Sequence, residues 1–233
     1  MVEVKYPPGW IVVDHFIPGC TEEMIDWWWV NMEKGYELWC PDEHKGFKWL
    51  TLPPLGGHIG AVQIAKESID YGPVMDLRIE WVDPNFGTQE QKDFWTYSHL
   101  LTAGSSGAQP GTKPFVMLSH QWEAVPGGCK MRSCMHRPPG PPTGGPPGGG
   151  PPGGGPPGGG PPPGLSMDKL PPHPSGKKPS GGGWHDHNIA EVSTFKNFLP
   201  ALWGIWQAVT DPAINRQASL KIRKEGDRII YVK

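Results

Sequence analysis

Apolar side chains recur along the chain with two different periods. Between Glu22 and Glu33, Met24, Ile25, Trp28, Trp29 and Met32 return every three to four residues, which predicts an amphipathic helix over 22–33. Thr21 stands where a hydroxyl caps the first turn, Glu22 and Glu23 meet the positive end of the helix dipole, and Gly35 ends the run. A longer helical pattern follows Gly183. There Ile189, Val192, Phe195, Phe198, Leu199, Leu202, Trp203 and Trp206 keep the spacing, with Asp186 as the expected cap and Pro200 as the expected kink. Between these helices the period shortens to two. Trp10 to Val13 reads as a strand, and 60–70 and 74–83 read as a hairpin around Tyr71, Gly72 and Pro73. Pro114 to Ala124 and Cys129 to His136 read as a second hairpin around Pro126, Gly127 and Gly128. A short helix is expected near 88–95, a last strand at Arg228 to Val232, and loop over 36–60, where Pro41, Pro53, Pro54, Gly56 and Gly57 fall. A helix, a run of antiparallel strands and a long C-terminal helix make an α+β pattern.

Composition changes this picture in one place. Residues 138–183 hold 17 of the 33 glycines and 17 of the 30 prolines, and Pro146 to Gly160 is three copies of PPGGG. A period of five excludes a collagen triple helix, which needs glycine at every third position. The segment reads as a disordered surface loop inside a single domain spanning 1–233. The remaining 187 residues of the 233 have ordinary glycine and proline contents and carry nearly all the apolar side chains, enough for one core.

Charge excludes several classes of partner. Lys+Arg 21 against Asp+Glu 23 leaves a net −2, with no basic block to attract nucleic acid or an anionic membrane. The apolar runs are too short to span a bilayer, and MVEVKYPPGW lacks the apolar stretch of a signal peptide, so the cytoplasm is the expected location. Cys20, Cys40, Cys129 and Cys134 are expected to stay reduced there. Twelve tryptophans point to a large aromatic interior.

Candidate chemistry starts on the long helix. His187 and Glu191 are four residues apart, so an imidazole and a carboxylate lie one turn apart on one face, able to share a metal ion. His44, in YELWCPDEHKGF, is a candidate third ligand from a distant segment, with the Cys40 thiolate as its rival. For a fourth, strand alternation prefers Glu67, which shares a face with Ala61 and Ala65, and leaves Glu80 open beside its apparent surface partner Arg78. Cys129, Cys134 and His136 have loose spacing for a zinc site and read as packing residues. His120 lies in a predicted strand and Tyr36 on the turn after the first helix, and either gains chemical interest only by facing the same cavity.

These residues sit in three pieces that resemble the 2,4-diacetylphloroglucinol hydrolases, zinc enzymes that cleave a carbon–carbon bond between an acyl group and a phenolic ring. The pieces are EEMIDWWWVNMEKGYELWCPDEH, LSHQWEAVPGGCKMRS and HNIAEVSTFKNFLP. Together they cover most of 10–136 and 184–210; the Pro/Gly segment has no expected counterpart, and the N-terminal extension such hydrolases can have is not expected here. The resemblance implies a helix-grip fold of the START/Bet v 1 type, with an antiparallel sheet wrapped around a long C-terminal helix. It implies Zn2+ on His44, Glu67, His187 and Glu191, with His120 as general acid or base and Tyr36 on a phenolic hydroxyl. The substrate it implies is an acylated phenol or related ketone, and a homodimer is compatible with it. The rival reading is a helix-grip module that holds an aromatic or hydrophobic ligand without turnover and without metal.

Overall fold

A computed structural model describes residues 6–104, 116–136, 177 and 180–232. Among them the chain runs β1 (Trp10–Pro18), α1 (Glu22–Val30), α2 (Tyr36–Trp39), β2 (His44–Thr51), β3 (Val62–Glu67), β4 (Met75–Trp81) and α3 (Gln89–Phe94). It continues as β5 (His99–Gly104), β6 (Leu118–Val125), β7 (Gly128–His136), α4 (Trp184–Trp206), β8 (Ile222–Glu225) and β9 (Arg228–Tyr231). Seven strands form one sheet in the order β1-β7-β6-β5-β4-β3-β2, with every neighbouring pair antiparallel; β8 and β9 form a separate hairpin. The protein is therefore α+β, with a large antiparallel sheet and a long C-terminal helix.

Local chemistry explains most of the boundaries. The Thr21 hydroxyl accepts the N–H of Met24 and starts α1, as its position predicts. The helix is shorter than expected, because a 3-10 turn at Met32–Lys34 takes over its end. It is also buried on all sides from Ile25 to Val30 rather than on one stripe. The far side is covered by the C-terminal stretch: the Trp27 indole donates to Asn215 Oδ1, and the amide of Leu220 donates to Asp26. On α4 the N-cap is Gly183, not Asp186; Asp186 lies in the first turn, where its carboxylate accepts from Ser180 and His185. Pro200 stays inside the 23-residue helix, which does not end there.

The core lies where α1 and α4 press on the sheet. Val192, Phe195 and Leu199 on α4 meet Trp28 and Trp39, and the cluster continues through Trp29, Trp81, Trp122 and Met131. The ring pairs are mostly edge-to-face, the arrangement that places a positive ring edge on a negative face. Most of the stretch read as a disordered loop over 138–183 falls outside the described residues. Its last four residues, 180–183, are instead held by the carboxylate of Asp70, which accepts from the amides of Ser180, Gly181 and Gly183 and from the Ser180 hydroxyl. All four cysteines are free. Among the described residues no helix is long and apolar enough to cross a membrane.

Candidate metal centre

Two local pairs build the site. His44 opens β2 and Glu67 closes β3, directly opposite each other in the antiparallel register. His187 and Glu191 stand one turn apart near the start of α4. The backbone amide of His44 donates to the carbonyl of Cys40, so the chain passes from α2 into β2 in one tight turn. The sheet thus supplies one histidine–glutamate pair and the helix the other, and all four side chains are buried.

Their ring nitrogens and carboxylates converge. His44 Nε2 lies 3.5 Å from Glu191 Oε2 and 4.0 Å from Glu67 Oε1. His187 Nε2 lies 3.5 Å from Glu67 Oε2 and 3.6 Å from Glu191 Oε2. A tetrahedron with bonds of about 2.0–2.2 Å has edges of about 3.3–3.6 Å, so these atoms stand at or a little beyond the separation one ion requires. Ligand atoms of His44, Glu67 and His187 lie within 4.8 Å of one another, as do those of Cys40, Glu43 and His187.

Every one of the four groups is also held from behind. His44 Nδ1 donates to the Tyr36 carbonyl at 3.0 Å, and the two rings stack with centroids 4.2 Å apart. His187 Nδ1 donates to Glu43 Oε2 at 2.7 Å. Glu191 Oε1 accepts from Asn188 Nδ2 at 2.8 Å, and Asn188 in turn accepts from His15. The Tyr36 hydroxyl donates to Glu67. Such bonds fix the ring orientation and leave the opposite atoms facing inward. The arrangement continues outward, since Glu43 Oε2 also accepts the amide of Asp70, whose own carboxylate grips the entrance to α4. Asp70 has φ 51°, the left-handed region that Asp tolerates better than most residues. Gly183 at the entrance has φ 55°, which favours glycine.

Electrostatics follow from this crowding. Burial disfavours the imidazolium of His187, but Glu191, Glu43 and Glu67 outweigh it and hold its pKa up at about 9. Burial raises the pKa of Glu191, yet His187 and His44 pull it below the usual value. Burial and Glu67 push the Tyr36 hydroxyl well above the ordinary range. Burial, then Glu191 and Glu43, push the Cys40 thiol up to about 12.

The donor set fits a divalent cation. With Nδ1 donating to the Tyr36 carbonyl, His44 Nε2 is fully buried without a hydrogen-bond partner and faces two carboxylates. A buried ring nitrogen left unbonded in front of carboxylates is unfavourable unless a cation or a proton stands between them.

The sequence candidates sort cleanly in space. His44, Glu67, His187, Glu191 and Tyr36 come together. His120 lies on β6, with Nδ1 2.9 Å from Ser133 Oγ and its ring 4.9 Å from that of Trp29. It lines a cavity of about 190 Å3 whose wall also includes Tyr36, Glu67, His187 and Glu191. Burial pushes the His120 imidazole down to about 4. Glu80 is not brought to this cluster and instead accepts from Arg78 at 3.2 Å. Cys134 and His136 meet each other on β7, away from the cluster. Sequence reasoning missed Glu43, Asp70 and Asn188. Glu43 precedes His44 in an acidic turn that looks solvated, and Asp70 follows β3 with no pattern of its own.

A family model described as the DAPG hydrolase PhiG domain matches residues 4–136. Among solved structures, the chain resembles a protein of Nitrosomonas europaea with TM-score 0.32 and 12% identity, over 55% of this chain and 75% of that one. It also resembles an uncharacterized protein of Rhizobium leguminosarum with TM-score 0.31 and 13% identity, over 54% and 74%. A protein of Mesorhizobium loti gives TM-score 0.30 and 18% identity, over 55% and 78%. Similarity at that level says nothing further about this chain. No curated protein matches it significantly.

Proposed function

The chain belongs to the DAPG hydrolase PhiG domain family, and from that premise we propose that it is a zinc-dependent hydrolase of the carbon–carbon bond between an acyl group and a phenolic ring. In this reading 1–233 is one hydrolase domain of the helix-grip type. His44, Glu67, His187 and Glu191 hold the ion, two neutral imidazoles and two carboxylates balancing its charge. The observation that carries the reading is the unpartnered, buried His44 Nε2 facing two carboxylates. When bound, zinc supplies Lewis acidity that polarises a carbonyl or lowers the pKa of water.

The chain's own residues do the rest. Tyr36 stays protonated at neutral pH, so its hydroxyl can turn from Glu67 to a phenolic oxygen and orient the ring. His120 is neutral at pH 7 and lies on the same cavity wall, so it can accept a proton from water. The oxygen of that water bonds to the acyl carbon while the acyl–ring bond breaks. The sink is the keto tautomer of the phenol, in which the phenolic proton has already moved to the acyl-bearing ring carbon: the bond's electron pair becomes a ring double bond and the ketone oxygen becomes phenolate. His120 then returns the water's proton to that oxygen, giving a carboxylic acid and the deacylated phenol. Trp29, Trp39 and Trp81 give the ring an apolar aromatic wall.

Zinc content and turnover test the reading together. About one zinc per chain and release of acetate from acylphloroglucinols are expected. Less than about 0.2 zinc per chain, with no recovery on adding zinc, would instead favour the ligand-binding module.

A further inference from the structure

Two residues behind the candidate metal centre take no part in the reaction just described. His15 lies on β1 and shares its inward face with Val13 and Ile17. Asn188 lies on α4 between His187 and Glu191 and is fully buried. The two stand 173 residues apart in the chain, yet His15 Nε2 lies 2.8 Å from Asn188 Oδ1. Asn188 Nδ2 donates to Glu191 Oε1, also at 2.8 Å, across the three-residue spacing that brings helix side chains together.

Donor and acceptor roles fix the direction of this relay. An ionised carboxylate only accepts, so the amide turns its nitrogen to Glu191 and its oxygen to β1. That oxygen needs a donor. Burial holds the His15 imidazole below its ordinary pKa, so at pH 7 the ring is neutral and carries one proton. With the proton on Nε2 the relay closes; with the proton on Nδ1, two acceptors would face each other across 2.8 Å. A residue of the sheet thus sets which way an amide of the helix points, and the effect reaches Glu191. Its Oε1 is taken by Asn188, and the oxygen turned to the other ligands is Oε2, 3.5 Å from His44 Nε2 and 3.6 Å from His187 Nε2.

Resting on the zinc hydrolase reading, we infer that His15 and Asn188 are positioning residues that hold Glu191 to one metal-bonding oxygen. Neither lines the cavity, and both act through Glu191. The consequence is room at the metal. With Glu191 giving a single oxygen, the four side chains fill four positions, and a fifth stays open for water or the acyl carbonyl. Released from Asn188, Oε1 can close on the ion as well and occupy that position.

The test loads the full-length chain with Co2+ in place of zinc, because the visible absorption of that ion weakens as its coordination number rises. His15→Leu and Asn188→Leu, which free Glu191 Oε1, are expected to dim the band about twofold at equal cobalt content. Elemental analysis of the zinc-loaded variants is expected to find about one zinc per chain still, because all four ligands remain. Their acetate release is expected to fall about tenfold. His15→Gln is the rescue: its amide nitrogen reaches where Nε2 stood and donates to Asn188, so wild-type absorption and turnover are expected. A merely structural role for His15 moves the unfolding midpoint and leaves the cobalt band where it was. A His15→Leu protein with the wild-type band overturns the inference, and so does a His15→Gln protein as dim as His15→Leu; zinc content and acetate release of the wild type keep the hydrolase reading standing in both cases. A wild type that takes up neither cobalt nor zinc overturns that reading and this inference with it. If Asn188→Leu fails to fold, the two variants at half-buried His15 decide.

Discussion

The chain buries histidines in two quite different ways. At the candidate metal centre, His44 and His187 each spend Nδ1 on a fixed acceptor and turn Nε2 toward carboxylates that do not donate. Across the sheet, His136 has both nitrogens engaged, Nε2 2.7 Å from Ser119 Oγ and Nδ1 3.4 Å from Cys134 Sγ. Rings of Trp10, Phe94 and Trp95 enclose it edge-on. Burial pushes its pKa down to about 3, so it stays neutral. The same side chain faces a cluster of carboxylates in one place and is packing in the other. What separates them is whether the second nitrogen has a partner and whether negative charge gathers in front of it.

The widest gap between the two sites should come from deleting a histidine at each. His187→Ala is expected to drop zinc from about one to below about 0.2 per chain and to abolish deacylation, measured by elemental analysis and acetate release. Full activity at normal zinc content would remove His187 from the site. Acid comes next and acts on the other class. His58 is also buried, with its pKa pushed down to about 4 by burial, and an unfolded chain protonates both His58 and His136 near pH 6.5. Their contribution is therefore complete above about pH 6.5 and is lost as pH falls toward the folded values, about 2 kcal/mol for each at pH 5. Urea denaturation at pH 7 and pH 5 measures it, and equal stability at the two values contradicts the neutral assignment. His136→Ala should cost about 3 kcal/mol, from a cavity between aromatic rings and an orphaned Ser119, while zinc stays bound. Loss of zinc in that variant would erase the distinction between the sites. Glu43→Gln is the mildest. It keeps an acceptor for His187 but removes the charge, and about a tenfold weaker zinc affinity is expected in competition with a chelator.

The sequence made the centre legible through the parts that are periodic. The spacing of His187 and Glu191 needed only a helix, and α4 is there; alternation put Glu67 of β3 on a buried face and Glu80 of β4 beside Arg78. His44 was legible as a residue but not as the start of a strand. β2 carries irregular register between His44 and Gly46 and between Trp49 and Thr51, so the alternation that announces a strand is broken at both ends. β5 was missed for the opposite reason. All six of its residues are buried, so His99 to Gly104 shows no alternation at all. Glu43 and Asp70 were invisible because their roles depend on partners 144 and 110 residues away.

Asp70 has a consequence beyond the histidine it supports. Its carboxylate fastens the backbone at 180–183, and at the other end the amide of His136 is tied to the carbonyl of Met117. The frame is thus closed on both sides of the proline- and glycine-rich stretch. A reporter or affinity tag spliced between residues 140 and 176 is therefore expected to leave the thermal unfolding midpoint nearly unchanged, because both fastened ends lie outside the insertion.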